Sequence, residues 1–118
     1  MSEPFVFDSR CTLCKDPFGA ARCGGHVTFS CRPLLREGFT HCAVVLRQEF
    51  SETRREVELS PAESQGERAL FTGSVEMPDT PELIWYHFRF WREDGSGCDL
   101  DKTGYRSDGF LEPWQLTV

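Results

Sequence analysis

The sequence predicts an all-β domain, an antiparallel sandwich of about seven to eight strands. Three observations point there. Ten Phe, three Trp and two Tyr in 118 residues make the apolar content strongly aromatic, and aromatic rings pack well on a pleated face. Seven Pro and ten Gly interrupt the chain so often that long helices have little room. Between these breaks, apolar residues recur with period two, the spacing at which strand side chains share a face.

Taken in order, His26 to Arg32 alternates with Val27, Phe29 and Cys31 on one side. Thr40 to Arg47 is a β-branched, apolar run that reads as a central strand. Glu49 to Val57 carries helix-compatible charges but no sustained apolar stripe of period 3.6, so it reads as strand–loop–strand. Overlapping its end, Arg54 to Leu59 alternates weakly and turns Val57 and Leu59 inward. Glu67 to Val75 is a further strand, ended by Met77-Pro78-Asp79-Thr80-Pro81. Leu83 to Trp91 is the strongest strand in the chain, Asp94 to Gly97 a turn, and Trp114 to Val118 the last strand, opening after Pro113. The six cysteines read as thiols, with Cys31 and Cys42 as small core residues and Cys11 and Cys14 near an exposed N-terminus.

Charge narrows the partners. A net charge of −6 and a pI near 5.0 lack the basic footprint that nucleic acid or an anionic membrane surface requires. The residues after Met1 hold no basic segment followed by an apolar core of about seven residues, so a cytoplasmic chain without a signal peptide is expected.

Two segments carry a resemblance. Asp16-Pro17-Phe18-Gly19-Ala20-Ala21-Arg22-Cys23-Gly24 leads into Val27-Thr28-Phe29, and Leu83-Ile84-Trp85-Tyr86-His87-Phe88-Arg89-Phe90 is followed by Pro113-Trp114-Gln115-Leu116-Thr117-Val118. In order and spacing they resemble the N-terminal, immunoglobulin-like domain of bacterial α-amylase-family glycoside hydrolases of the neopullulanase, cyclomaltodextrinase and maltodextrin-glucosidase kind. The resemblance implies a lead-in over residues 1–15 and a β-sandwich module over 16–118, with a catalytic barrel after 118. It implies a non-catalytic role: packing on the barrel of the parent chain or on a homodimer mate, with an α-glucan oligosaccharide such as maltodextrin as a further contact. Cys11, Cys14 and the Gly95 to Gly109 hairpin have no counterpart in the family pattern.

No catalytic residue is expected in the chain. Glycoside hydrolysis of this kind needs carboxylates held on barrel strands, and a (β/α)₈ barrel takes about 250 residues. Asp99, Asp101, Asp108 and Glu112 read as solvated loop charges. The stretch Asp99 to Phe110 begins like a calcium loop but puts Arg106 and Phe110 where an aliphatic residue and a bidentate Glu belong. His26, His41 and His87 have no nucleophile motif beside them. No cofactor or metal is expected.

The candidate site is a strand face. In Leu83 to Trp91, Ile84, Tyr86, Phe88 and Phe90 point one way, into the core, and Trp85, His87, Arg89 and Trp91 point the other. Two Trp, a His and an Arg are an unusual solvent face. They suit a domain interface or a carbohydrate contact, with the interface favoured. Two other functions stay open: an autonomous starch-binding module, and a metal-stabilised protein-interaction domain using Cys11, Cys14, Cys23 and His26.

Overall fold

A computed structural model describes residues 6–7, 14–17, 19–106 and 111–118. The described residues form nine strands: β1 (Lys15–Asp16), β2 (His26–Cys31), β3 (His41–Gln48), β4 (Thr53–Gln65), β5 (Arg68–Glu76), β6 (Leu83–Trp91), β7 (Gly97–Asp101), β8 (Gly104–Arg106) and β9 (Trp114–Thr117). A single 3₁₀ turn, Leu35–Glu37, accompanies them. No helix among these residues is long and apolar enough to cross a membrane.

All the pairings are antiparallel, in the order β1-β2-β5-β4-β3-β6-β7-β8, with β9 alongside β6. The sheet curls over on itself through β4. Thr53 to Leu59 pair with β3, whereas Ser60 to Gln65 pair with β5. Pro61 stands where the strand changes partner, a point at which its missing N–H is tolerated. The two halves of the curled sheet form the layers of a sandwich.

The core lies between those layers. Val27, Phe29 and Cys31 of β2, Cys42, Val44 and Leu46 of β3, and Ile84, Tyr86, Phe88 and Phe90 of β6 are all 0% exposed. For β2 and β6 these are the inward residues that alternation assigned; in β3 the sequence placed only Cys42 in the core. Phe88 sits centrally, its ring 4.5 Å from Phe7, 5.7 Å from Trp114 and 5.9 Å from Phe29 by centroid. Such aromatic contacts add to the area each ring buries.

Three local readings are corrected. Arg54 to Leu59 is part of the longer strand β4. Cys14, read as a thiol near an exposed terminus, is buried against the core, and the Arg32 guanidinium donates to its Sγ at 3.8 Å. Asp101, read as a solvated loop charge, is 1% exposed. Its Oδ1 accepts from the backbone N–H of Thr103 at 2.8 Å and from Thr103 Oγ1 at 2.5 Å, and its Oδ2 accepts from the Glu112 N–H at 2.8 Å. Those donors replace water, which is why a carboxylate can lie inside here. It ties the β7–β8 hairpin to the segment entering β9. Asp99 is half-buried and Glu112 exposed, while Asp108 lies outside the described residues.

Candidate functional site on the outer face of β6

β6 is flanked on both edges along its length. β3 covers one edge from Ile84 to Trp91. On the other, Leu83 to Tyr86 pair with β9 and Phe88 to Trp91 with β7. The outward side chains of β6 therefore lie among outward residues of β3, β4 and β7, and each has a neighbour supplied by the register.

Trp91 is opposite His41, and the two rings stack at 5.1 Å with planes 9° apart. Glu58 and Glu93 flank the same imidazole, their carboxylate oxygens 3.3 Å from Nδ1 and 3.7 Å from Nε2. Arg89 is exposed and its Nη1 lies 3.2 Å from Glu56 Oε1. His87 is half-buried, with Nε2 3.8 Å from Asp99 Oδ1. Burial holds the His87 imidazole below its usual pKa; Asp99 opposes that shift, and Arg54 and Arg89 reinforce it. Ala43 and Val45, on the outward side of β3, are 1% and 3% exposed, since long side chains of the neighbouring strands lie over them.

Two grooves run across this face. One, of about 480 Å³, is lined by Glu56, Arg89, Trp91, Gly97, Cys98 and Asp99 among others. The second, of about 360 Å³, is lined by Val45, Arg47, Arg54, Trp85, His87, Leu111 and Pro113. Gly97 matters to the first: a Cβ there would collide with the backbone of Phe90 and Trp91, so only glycine allows β7 to approach so closely. The four residues singled out from the sequence thus share one face and line two grooves.

The partners of those four residues were not legible in the sequence. His41, Glu56, Glu58 and Asp99 come from other strands, and only the pairing register brings them alongside. A period-two reading of each strand could place them on an outer face but could not say which outer residues meet. Chemically, Glu56 is used in an ion pair with Arg89, and Glu58, Glu93 and Asp99 lie beside the imidazoles of His41 and His87, which leaves the indoles and the groove floors as distinctive contact surfaces of this face. Cys23 and His26 are exposed and Cys14 is buried, while Cys11 lies outside the described residues. Among the described residues no group of three or more His, Cys, Asp or Glu side chains is arranged to hold a metal ion.

With this geometry in hand, known proteins offer a comparison of fold. No family model and no curated protein matches the chain. Among solved structures it is similar to a cycloalternan-degrading enzyme from Trueperella pyogenes in complex with cycloalternan, at a TM-score of 0.59 and 13% identity. The same enzyme in complex with a covalent intermediate matches equally, at 0.59 and 13%. In both, the alignment covers 86% of this chain and 15% of the other, so the present chain corresponds to a small part of a much longer one. At this identity the likeness establishes a shared fold.

Proposed function

We propose that this chain is the non-catalytic N-terminal module of an α-glucan-processing glycoside hydrolase and that the outer face of β6 packs against the catalytic barrel or a dimer mate. One observation carries the reading: Trp85, His87, Arg89 and Trp91 lie together over two grooves, with Arg89 paired to Glu56 within the module. Trp and Arg are the residues that dominate protein interfaces. Charges paired within the module do not have to be left unpaired when a partner excludes water. The fold it shares with part of a cycloalternan-degrading enzyme supports the reading, as do the sequence motifs described above.

An autonomous starch-binding module is the competing reading, favoured by the two tryptophans. A sugar ring stacks on a free indole face. His41 already covers one face of Trp91, and Trp85 is half-buried in its groove. The docking reading fits that arrangement better.

The test has two parts. The isolated chain, incubated with starch, pullulan and maltodextrins, is expected to release no reducing sugar. In the full-length enzyme, Trp85→Ala is expected to loosen the module from its barrel or mate, seen as faster proteolysis between domains or as dimer dissociation. Sugar release abolished by replacing any carboxylate of this chain would overturn the non-catalytic reading. Binding of maltoheptaose that Trp85→Ala removes with stability unchanged would establish the starch-binding alternative.

A further inference from the structure

The tip of the β3–β4 hairpin presents a side chain that the outer face does not explain. Phe50 is 70% exposed, the most exposed large apolar residue among those described. A single exposed ring is ordinary on a mobile loop. This one is held in place. The Phe50 N–H donates to Glu82 Oε1 at 2.7 Å, the Glu49 N–H donates to the Leu83 carbonyl at 2.8 Å, and Gln48 Nε2 donates to Ser51 Oγ at 2.9 Å. Glu82 is 4% exposed. Burial raises its pKa, but the N–H groups of Phe50 and Leu83, with Gln48 and Ser51, outweigh that and hold the carboxyl below its usual range. Glu52 has φ 54°, a left-handed conformation that a glutamate adopts only at a cost and that the surrounding contacts must impose. A buried acid thus fixes the backbone from which the exposed ring projects.

The same Glu82 fixes the end of the described chain. Its N–H donates to the Val118 carbonyl at 3.1 Å, and the Val118 N–H donates to the Glu82 carbonyl at 2.8 Å. One residue therefore holds both the hairpin tip, through its side chain, and Val118, through its backbone. Any domain that follows Val118 emerges beside Phe50.

We infer that Phe50 is a docking knob that inserts into an apolar pocket of the domain following Val118 in the parent enzyme. This rests on the module reading above. Glu49 is paired with Arg47 at 2.7 Å, and Glu52 is exposed, so the matching pocket has an apolar floor and a basic rim. The contact lies at the end of the sandwich, apart from the β6–β7 groove that Trp91 lines, and makes the junction between domains stiff.

The test compares Phe50→Ser in the 118-residue chain and in the full-length enzyme expressed from a gene continuing past Val118. In the full-length enzyme, cleavage by a dilute protease just after Val118 is expected to accelerate about tenfold, tracking the population of the undocked junction, and Phe50→Leu is expected to restore slow cleavage. In the 118-residue chain the serine variant should melt close to the parent, since a ring that is 70% exposed buries little surface within the module. An unchanged cleavage rate in an enzyme that does carry a barrel after Val118 would overturn the knob alone. So would an equal loss of melting temperature in the isolated chain, or a change from dimer to monomer there, which would make a second copy the occupant. A gene encoding no domain after Val118 would overturn the module reading and the knob with it.

Discussion

Replacing Phe88 by alanine isolates the role of the inner face of β6. The Phe88 ring is 0% exposed and has the rings of Phe7, Phe29, Tyr86 and Trp114 within 6.0 Å of its centroid. Removing it loses the transfer energy of the ring and leaves a cavity between two sheet layers that cannot both move in, for a cost of about 3–5 kcal/mol. A domain of this size has about 5–15 kcal/mol in all, so the variant should fold but melt roughly 12–20 °C lower, taking about 4 °C per kcal/mol. Trp85, the next-but-two residue on the opposite face, is the control. It is half-buried in a groove, so truncating it in the isolated chain should cost about 1 kcal/mol, half or less of what a fully buried large side chain contributes. Urea unfolding followed by circular dichroism measures both, with equal slopes required for the comparison. A Trp85→Ala variant that unfolds while Phe88→Ala is tolerated would show the two faces to be exchanged and would remove the proposed docking surface.

Three further outcomes are expected. The Tyr86 hydroxyl is buried and has no hydrogen-bond partner among the described residues, so Tyr86→Phe should leave stability unchanged or raise it by about 1 kcal/mol, because an unsatisfied buried hydroxyl is a net cost; a loss above that size in urea unfolding would mean that the hydroxyl is satisfied. Burial lowers the folded-state pKa of His87, so the unfolded chain takes up its proton first: stability should be full above the unfolded value of about 6.5 and fall as pH drops from there toward the folded value, a decline that His87→Gln removes. Thiol titration of the unfolded, unreduced chain should find all six cysteines free, and in the native chain Cys23, exposed, should react well before Cys14, Cys31 and Cys42, which are buried; one zinc bound tightly and lost in Cys11→Ser would instead favour the metal-stabilised domain.

Much of this fold could be read from local pattern. The division of β6 into an inner row of Ile84, Tyr86, Phe88 and Phe90 and an outer row of Trp85, His87, Arg89 and Trp91 follows from the period of a strand and from the length of the run. Val27, Phe29 and Cys31 were legible for the same reason, whereas the continuous apolar run of β3 marked a strand without showing which of its sides faces the core. Each of these rows repeats over several residues, so its inner and outer sides are set by neighbours close in sequence.

The rest depended on residues far apart in sequence. Ser60 to Gln65 contains a proline and no β-branched residue, so nothing local marks it as a strand. It extends because β5 offers a free edge there. Asp101 looks like any turn carboxylate until Glu112, eleven residues on, brings its N–H to it. Phe7 joins the core only because Phe88 and Trp114 meet it across the sandwich. The candidate site divides in the same way. The sequence by itself determined which four side chains leave the outer face of β6. Only the tertiary structure decided that Trp91 stacks on His41 and that Arg89 meets Glu56, because alternation fixes the face a side chain takes, whereas pairing register fixes whom it meets.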